Sequence, residues 1–225
     1  MFLVMKNYVE VAYDAKEKPF GEYPLQLAKY LIDRYKLPDG ARVLDNGCGR
    51  GEFLHAFSTF GMEAHGTDLS SYCANSRVVD LNNEPLPFEN NYFDLVFSKS
   101  VLEHISNTEH YVKEMHRVLK PGGTICLMVP DWQTQYKIFY EDPTHIHPYT
   151  VKSMDRLLNM MDFKEVHSEK FVQLPSTWNG GISAFMSSIL RFLHGVIRGD
   201  SVPRVYKNKF VRFSLELMVL ADGKK

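Results

Sequence analysis

A glycine-rich turn is the stretch of this 225-residue chain whose residue types most directly suggest chemistry. Gly47, Gly49 and Gly51 occupy alternate positions just after a short apolar strand and Asp45. Glycine has no Cβ, so a ligand can approach the backbone N–H groups of such a turn closely. A helix beginning near Glu52 would point its positive end at the same place. The stretch therefore predicts a cradle for a nucleotide or another anion.

The spacing of the glycines narrows the choice of nucleotide. The dinucleotide fingerprint G-x-G-x-x-G would place its third glycine at position 52, where this chain has Glu52. A NAD-dependent oxidoreductase is therefore disfavoured, although it stays as an alternative.

Two more acids lie at the carboxyl ends of strands that are predicted over 64–68 and 77–81. Ligands of open α/β sheets bind outside the carboxyl ends of the strands, so Asp68 and Asp80 should face the same crevice as the glycine turn. A carboxylate at Asp68 can accept hydrogen bonds from two adjacent ribose hydroxyls. The alternatives are a solvated loop acid or helix cap at Asp68 and a plain turn residue at Asp80.

The elements that position these residues alternate between strands and helices. Short apolar runs separated by amphipathic stretches predict βαβ units and a parallel sheet. A Ser106-x-x-Glu109 capping box is expected to open the helix before strand five, at 124–129. A weak helix is expected over 70–76. The last strand is predicted over 210–220, antiparallel because a long insertion rather than a crossover precedes it.

Composition excludes several classes of protein. Lys and Arg number 26 against 27 Asp and Glu, so no global basic field exists to hold nucleic acid through its phosphates. Cys48, Cys73 and Cys126 are scattered, which is typical of reduced thiols rather than of disulfides or a zinc site. No apolar run reaches transmembrane length and the start lacks a signal peptide, so we expect a cytoplasmic protein.

Four motifs stand in a characteristic order: D-x-G-x-G-x-G at 45–51, E-P-L-P-F at 84–88, V-L-E-H-I at 101–105 and V-L-K-P-G-G at 118–123. Together they resemble the small-molecule branch of the class I S-adenosylmethionine (SAM)-dependent methyltransferases, and looser similarity reaches about position 172. The resemblance implies an α/β fold: a Rossmann-like seven-stranded, mostly parallel sheet with the last strand antiparallel and helices on both faces.

The resemblance also implies one domain over 1–225. Its parts are an N-terminal cap and helix (1–40, with the cap at 1–20), a SAM-binding core (41–130), acceptor-side segments (131–209, including a helical insertion at 175–209) and a final strand (210–225). The implied cofactor is SAM. The residues expected around SAM are Asp45, Gly47, Cys48, Gly49, Gly51, Asp68, Leu69, Asp80, Leu81 and Ser98. Within this set, Asp80-Leu81 corresponds to the adenine site and Ser98 to the neighbourhood of the sulfonium.

Departures from family patterns limit the acceptor. Strand four ends Ser98-Lys99-Ser100, not with the N/D-P-P-Y/F of enzymes that methylate nucleic-acid bases. The expected reaction is therefore methyl transfer to an O or N of a small-molecule or sugar-type acceptor, with no nucleic-acid partner. Surface-glycan or secondary metabolism in bacteria is the implied setting. A non-catalytic SAM-binding regulatory or partner subunit stays as the alternative.

Residues 141–150 are the best candidate for the acceptor-side catalytic group. Histidine has an ordinary pKa of about 6.5, so it can accept a hydroxyl proton near neutrality. We predict His145 as the base, with Asp142 orienting it or binding substrate, and no resident metal. Two alternatives are a divalent metal held by His145, His147 and Asp142, and histidines that only shape the loop. His104 is a further candidate for a base, although the resemblance gives this position a structural role near the cofactor.

The insertion at 175–209 is expected to form an acceptor-side lid. Its apolar helical face comprises Ile182, Phe185, Met186, Ile189, Leu190, Leu193, Val196 and Ile197. Nearby basic residues are Arg191, Arg198, Arg204, Lys207 and Lys209. Packing on the core, a pocket for an anionic acceptor, peripheral contact with an anionic membrane and a homodimer interface all remain open. We expect a monomer or a homodimer.

Overall fold

The computed structural model describes residues 20–70, 73, 75–198 and 208–225, with the backbone alone for 195–198. The cap expected at 1–20 lies outside this range apart from Phe20, and the weak helix expected at 70–76 falls partly outside it.

A seven-stranded sheet forms the centre of the protein. Its strands are β1 (Arg42–Asn46), β2 (Glu63–Asp68), β3 (Ser76–Val78), β4 (Phe93–Lys99), β5 (Leu119–Pro130), β6 (Lys164–Phe171) and β7 (Met218–Lys224). Their order across the sheet is β3-β2-β1-β4-β5-β7-β6. Only β7 runs antiparallel to its neighbours, β5 and β6. The predicted fold class is thereby confirmed.

Helices cover both faces of this sheet. They are α1 (Glu22–Tyr35), α2 (Glu52–Thr59), α3 (Thr108–Val118), the short α4 (Trp132–Gln135), α5 (Val151–Met160), α6 (Gly181–Arg198) and α7 (Lys209–Leu215), with 3₁₀ turns at Leu102–His104, Phe139–Glu141 and Pro175–Thr177.

The core consists of two layers, one on each face of the sheet, because side chains alternate between the two faces along each strand. Leu44 of β1 packs with α3 and α5 on one face, whereas Val43 packs with α1 and α2 on the other. The same alternation separates Val96 from Phe97 in β4, because successive strand side chains point to opposite faces. Every central strand is buried on both faces, and this explains why the strands read as continuous apolar runs.

Three predicted strand boundaries were wrong. β3 ends at Val78, so Asp80-Leu81 lie in the following turn rather than on the strand. β5 begins at Leu119, earlier than expected, and a register shift against β4 accommodates the K-P-G-G segment. The stretch 210–220 was expected to be one strand; Lys209–Leu215 is instead a helix, and β7 runs from Met218 to Lys224.

Side-chain caps explain three helix starts. Asn208 caps α7 by accepting from the N–H groups of Phe210 and Val211, so the apolar residues after it become helical. The capping box predicted at Ser106 was wrong, because Asn107 is the N-cap of α3 and its side chain accepts from His110 N. The predicted cap of α5 at Thr150 is confirmed, with Ser153 completing a reciprocal capping box.

Candidate functional site

The glycine turn between β1 and α2 is fastened to the end of β2. Gly47 N and Cys48 N both donate to Thr67 O, at 2.8 and 3.0 Å, and Gly49 N donates to Asp68 Oδ2 at 2.8 Å. These three amides therefore hold the turn in place and are not bare donors for a ligand. The expectation that the turn presents them to a ligand was wrong.

The glycines instead permit the shape of the turn. All three have positive φ: +92° at Gly47, +50° at Gly49 and +82° at Gly51. A Cβ on Gly47 would lie 2.3 Å from Val101 Cγ2, and one on Gly51 would lie 2.9 Å from Cys73 Sγ. A Cβ on Gly49 would meet nothing within 4 Å. Gly49 thus marks the open side of the turn, where a ligand has room.

Asp45 is a buried carboxylate beneath the turn, with 2 % of its surface exposed. Among the described residues, none donates a hydrogen bond to its buried Oδ2. The pKa of Asp45 is raised to about 8. Burial is the main cause, the charge of Asp68 adds to it, and the charge of Lys99 acts in the opposite direction. A ligand that brings a positive charge would therefore be stabilised here.

Lys99, at the end of β4, is a site residue that sequence reasoning missed. Burial lowers its pKa, while the charges of Glu103, Glu52 and Asp45 act in the opposite direction. Lys99 is thus within electrostatic reach of Asp45 and Glu103. The sequence comparison asked only whether strand four ends with the motif of nucleic-acid base methyltransferases. Lys99 itself was therefore overlooked.

The predicted nucleoside residues differ in how their side chains are engaged. Asp68 reaches back to the glycine turn, and Leu69 beside it is exposed. Asp80 accepts from Asn82 N and Asn83 Nδ2, and these hydrogen bonds lower its pKa. Asp80 therefore has the geometry of a turn residue, while Leu81 is buried in the core.

Ser98 and Cys48 are both turned into the protein. Ser98 Oγ lies 2.8 Å from Tyr111 Oη, and that tyrosine donates to Asn46 O at 3.1 Å. Cys48 is buried, and its Sγ would lie 2.8 Å from a Cβ built on Gly66. Both residues support the turn and the strand ends from below.

The acceptor-side loop is attached to the end of β4. Glu103, in the 3₁₀ turn that follows β4, accepts backbone hydrogen bonds from Ile146 N and His147 N at 2.9 and 3.1 Å. The same turn begins after Val101, whose side chain packs on Gly47. The segment 142–147 is therefore held against the turn that follows β4, next to the residue that packs on the glycine turn.

His145 is oriented by a backbone carbonyl. Its Nδ1 lies 2.7 Å from Phe139 O, which accepts only if Nδ1 carries the proton, so the neutral ring has its lone pair on Nε2. Asp142 Oδ2 lies 4.0 Å from that Nε2, beyond hydrogen-bond distance. Asp142 therefore does not orient the ring by a direct hydrogen bond.

Asp142 instead orients His104 through a threonine. Thr144 Oγ1 donates to Asp142 Oδ1 at 2.6 Å and lies 2.8 Å from His104 Nδ1. Since the hydroxyl has a single proton, it accepts from His104 Nδ1–H, and the lone pair of His104 also falls on Nε2. The two imidazole rings lie 4.7 Å apart between centroids. Sequence reasoning favoured a structural role for His104 because its partners come from the loop 40 residues later.

Glu103 completes this group. It is 1 % exposed, and neither carboxylate oxygen accepts a hydrogen bond from another described residue. Burial raises its pKa to about 8, offset in part by its own backbone N–H and by the charge of Lys99. His147, which the sequence paired with His145, is not part of the group; its ring packs 6.4 Å from that of Tyr149.

Aromatic side chains line the approach to His145. Phe139 packs on the histidine ring at 4.5 Å between centroids, and Trp132 contacts Phe139 and Tyr140 at 5.4 and 5.8 Å. Tyr140 is largely exposed. A wall of aromatic faces beside a few polar groups is typical of small-molecule sites.

The helical insertion presents its apolar face outward. Ser187 is buried, and Arg191 bonds to it and reaches Ser214 O of α7. The exposed large side chains of α6 are Ile182, Phe185, Met186, Phe192 and Leu193. Arg198, Arg204 and Lys207 lie outside the described side chains. Within the described ranges, no helix has the length and apolarity needed to span a bilayer.

Comparisons with known proteins identify families, sequences and structures that this chain resembles. A family model described as a methyltransferase domain matches residues 20–168. An uncharacterized protein of Methanocaldococcus jannaschii is 29% identical over 209 residues, covering 90% of this chain and 88% of that protein. Phosphoethanolamine N-methyltransferase of Plasmodium falciparum is 27% identical over 203 residues, covering 79% and 75%. A SAM-dependent methyltransferase crystal structure from Archaeoglobus fulgidus matches with a TM-score of 0.65 and 21% identity, covering 97% and 100%.

The fold and the glycine turn define a Rossmann-like α/β protein with a nucleotide-type cradle at the carboxyl ends of its strands. Because the family model spans well over half of the sequence, the chain belongs to the methyltransferase-domain family. It is a SAM-dependent methyltransferase, as the motifs predicted, and its cofactor is SAM.

Proposed function

We propose that this enzyme transfers the methyl group of SAM to an O or N of a small-molecule or sugar-type acceptor. The observation that supports the proposal is the attachment of the loop 142–147 to the turn after β4, since a loop held there would bring His145 close to the proposed SAM site. The aromatic wall of Trp132, Phe139 and Tyr140 fits a compact acceptor with polar groups at one end.

The crevice fits SAM at both ends of the molecule. Asp45 has a buried oxygen without a donor, and Lys99 supplies a cation near it. A carboxylate beside an ammonium group suits the methionyl group of SAM, whose ammonium would pair with Asp45 and whose carboxylate would pair with Lys99. Gly49 leaves room for the ligand, and Asp68 with Leu69 bounds the nucleoside side. Gly47, Cys48, Gly51, Leu81 and Ser98 would act by shaping this crevice, and Asp80 by closing its turn.

When bound, SAM supplies an electrophilic methyl group, so the protein has to align the acceptor and remove its proton. We assign proton removal to Nε2 of His145, whose lone pair is fixed by the hydrogen bond to Phe139 O. Asp142, 4.0 Å away, would stabilise the protonated ring. The proposed setting is cytoplasmic, which agrees with three unpaired cysteines.

The test measures SAM binding and turnover separately. Transfer of labelled methyl groups from SAM into fractionated cell extract would identify an acceptor, and mass spectrometry of the product would locate the methylated atom. His145→Ala and His145→Gln should then keep SAM affinity and lose turnover by about 10²–10⁴-fold. His147→Ala is the matched control from the same loop and should keep both.

Three results would change the proposal. Near-native turnover in both His145 variants would remove it as the base. A product methylated on carbon would exclude the O or N acceptor. SAM binding without methyl transfer to any supplied acceptor would favour the alternative of a non-catalytic SAM-binding subunit.

A further inference from the structure

We propose that Glu103, His104 and His145 form a binding site for one divalent transition-metal ion of the Zn²⁺ or Co²⁺ class. One ligand atom from each residue lies within 4.8 Å of the others. Two ligand atoms on a tetrahedral ion of this kind lie about 3.4 Å apart, since Zn–N distances are about 2.0–2.1 Å. The ligand atoms of the group therefore have to approach one another by up to about 1.4 Å to close on an ion.

The hydrogen bonds around the histidines support this assignment. Metal-binding histidines usually donate the other ring N–H to a carbonyl or a carboxylate-linked group, which fixes the tautomer. His145 Nδ1–H is held by Phe139 O, and His104 Nδ1–H is held by Thr144, which in turn donates to Asp142. Both rings are thus fixed with the lone pair on Nε2. Two histidines on different segments share this arrangement.

Glu103 is the second, independent observation. Its side chain is buried, and neither oxygen accepts a hydrogen bond from another described residue. A buried carboxylate is costly unless it is protonated, paired or bound to a metal. A cation between Glu103 and the two histidines would pair this buried carboxylate.

The donor set selects the kind of ion. Two imidazoles and one carboxylate suit Zn²⁺, Co²⁺, Fe²⁺ and related ions, whereas Mg²⁺ and Ca²⁺ prefer oxygen ligands throughout. The metal site left open from the sequence, as an alternative to His145 as base, used His145, His147 and Asp142 as ligands. The structure replaces them with Glu103 and His104, and it moves Asp142 behind Thr144.

The binding test uses the metal alone, with no SAM and no acceptor, so that it does not depend on the proposed function. Tag-free protein is stripped with a chelator, returned to chelator-free buffer and titrated with Zn²⁺, Co²⁺ or Mg²⁺ by calorimetry. We expect one Zn²⁺ site, a visible absorption band from bound Co²⁺, and no comparable Mg²⁺ binding. Glu103→Gln, His104→Gln and His145→Gln should each weaken Zn²⁺ binding at least tenfold, because loss of even an outer partner typically costs 10–100-fold. His147→Gln should not.

A direct measurement on the unchanged protein covers the case in which a variant fails to fold. In ¹H–¹⁵N spectra of the imidazole groups, Zn²⁺ should shift the Nε2 signals of His104 and His145 and leave that of His147 in place. Zn²⁺ affinity that survives both Glu103→Gln and His145→Gln, or unshifted signals for His104 and His145, would overturn the proposal.

The effect of Zn²⁺ on turnover distinguishes the proposed metal site from the proposal that His145 is the base. A bound ion takes the Nε2 lone pair that the proposed base needs, so saturating Zn²⁺ should inhibit methyl transfer. Stimulation by Zn²⁺, with binding confirmed, would keep the metal site and remove His145 as the base.

Discussion

Asp68 Oδ2 accepts a hydrogen bond of 2.8 Å from the backbone N–H of Gly49, which links the end of β2 to the glycine turn. One carboxylate therefore holds the turn, and in the proposed function it would also border the nucleoside of SAM. This relationship changes what is expected from substitutions at Asp68.

Asp68→Ala should weaken SAM binding by about 1.5–3 kcal/mol, the range for hydrogen bonds to a charged group. It should also lower the free energy of unfolding, because Gly49 N loses its acceptor. Asp68→Asn keeps an acceptor for Gly49 N, so it should lose affinity with a smaller loss of stability. Calorimetry and urea denaturation measure the two effects. Unchanged affinity in both variants would disprove the ribose assignment.

Gly47 and Gly49 should respond differently to substitution. Gly47→Ala places a Cβ 2.3 Å from Val101 Cγ2 at a φ of +92°, so it should destabilise the fold by about 2 kcal/mol or more. Val101→Ala in the same chain should restore part of that loss. Gly49→Val faces open space, so it should cost only about 1–2 kcal/mol of backbone strain and abolish SAM binding. Retained SAM affinity in Gly49→Val would contradict the location of the site.

Lys99→Met tests the proposed contact with the carboxylate of SAM. Loss of this cation should weaken SAM binding by about 1.5–3 kcal/mol. Adenosine lacks the methionyl group and should bind the variant as it binds the unchanged protein. Equal weakening for both ligands would mean that Lys99 shapes the crevice instead of contacting that group.

Asp45 predicts a pH dependence of stability. Its ordinary pKa is 3.8 and its folded pKa is about 8, raised first by burial. Between these values the folded protein holds a proton that the unfolded chain has released, so this group makes stability fall as pH rises through that window. Above about pH 8 its contribution is constant. Asp45→Asn should remove this fall, which is about 6 kcal/mol over the whole window and about 4 kcal/mol from pH 5 upward.

Urea denaturation at pH 5 and pH 8.5 measures the effect. The comparison between Asp45→Asn and the unchanged protein isolates Asp45 from Glu103, whose pKa is raised to a similar value. An identical pH dependence in both proteins would contradict the buried, unpaired state of Asp45.

The exposed face of α6 should contribute little to the stability of the isolated chain. Phe185 and Leu193 are 66% and 46% exposed, so Phe185→Ser with Leu193→Ser should change the free energy of unfolding by no more than about 0.5 kcal/mol. Met154→Ala, in the buried core, should cost about 2–5 kcal/mol as the control. A large loss in the double variant, together with a drop in mass by light scattering, would identify this face as a homodimer interface. Loss of sedimentation with acidic liposomes would identify a membrane contact.

The sequence by itself determined the sheet, the glycine turn and the class of enzyme. Apolar runs buried on both faces and the ordered motifs from Asp45 to Gly123 are local signals, because each depends on residues close together in the chain. Thr150 as a cap and the antiparallel β7 also followed from local patterns, although α7 displaced the start of that strand.

Tertiary structure decided which side chains share the crevice and what each of them does. Asp68 turned back to Gly49, and Lys99 came to lie near Asp45. Glu103 and His104 met His145 only because the loop after β5 bonds to the turn after β4. Such contacts join segments some 20 to 50 residues apart, and their energies depend on burial and on hydrogen-bond partners. Neither quantity is encoded by the spacing of residues along the chain, so the sequence could place the crevice but not the chemistry of its walls.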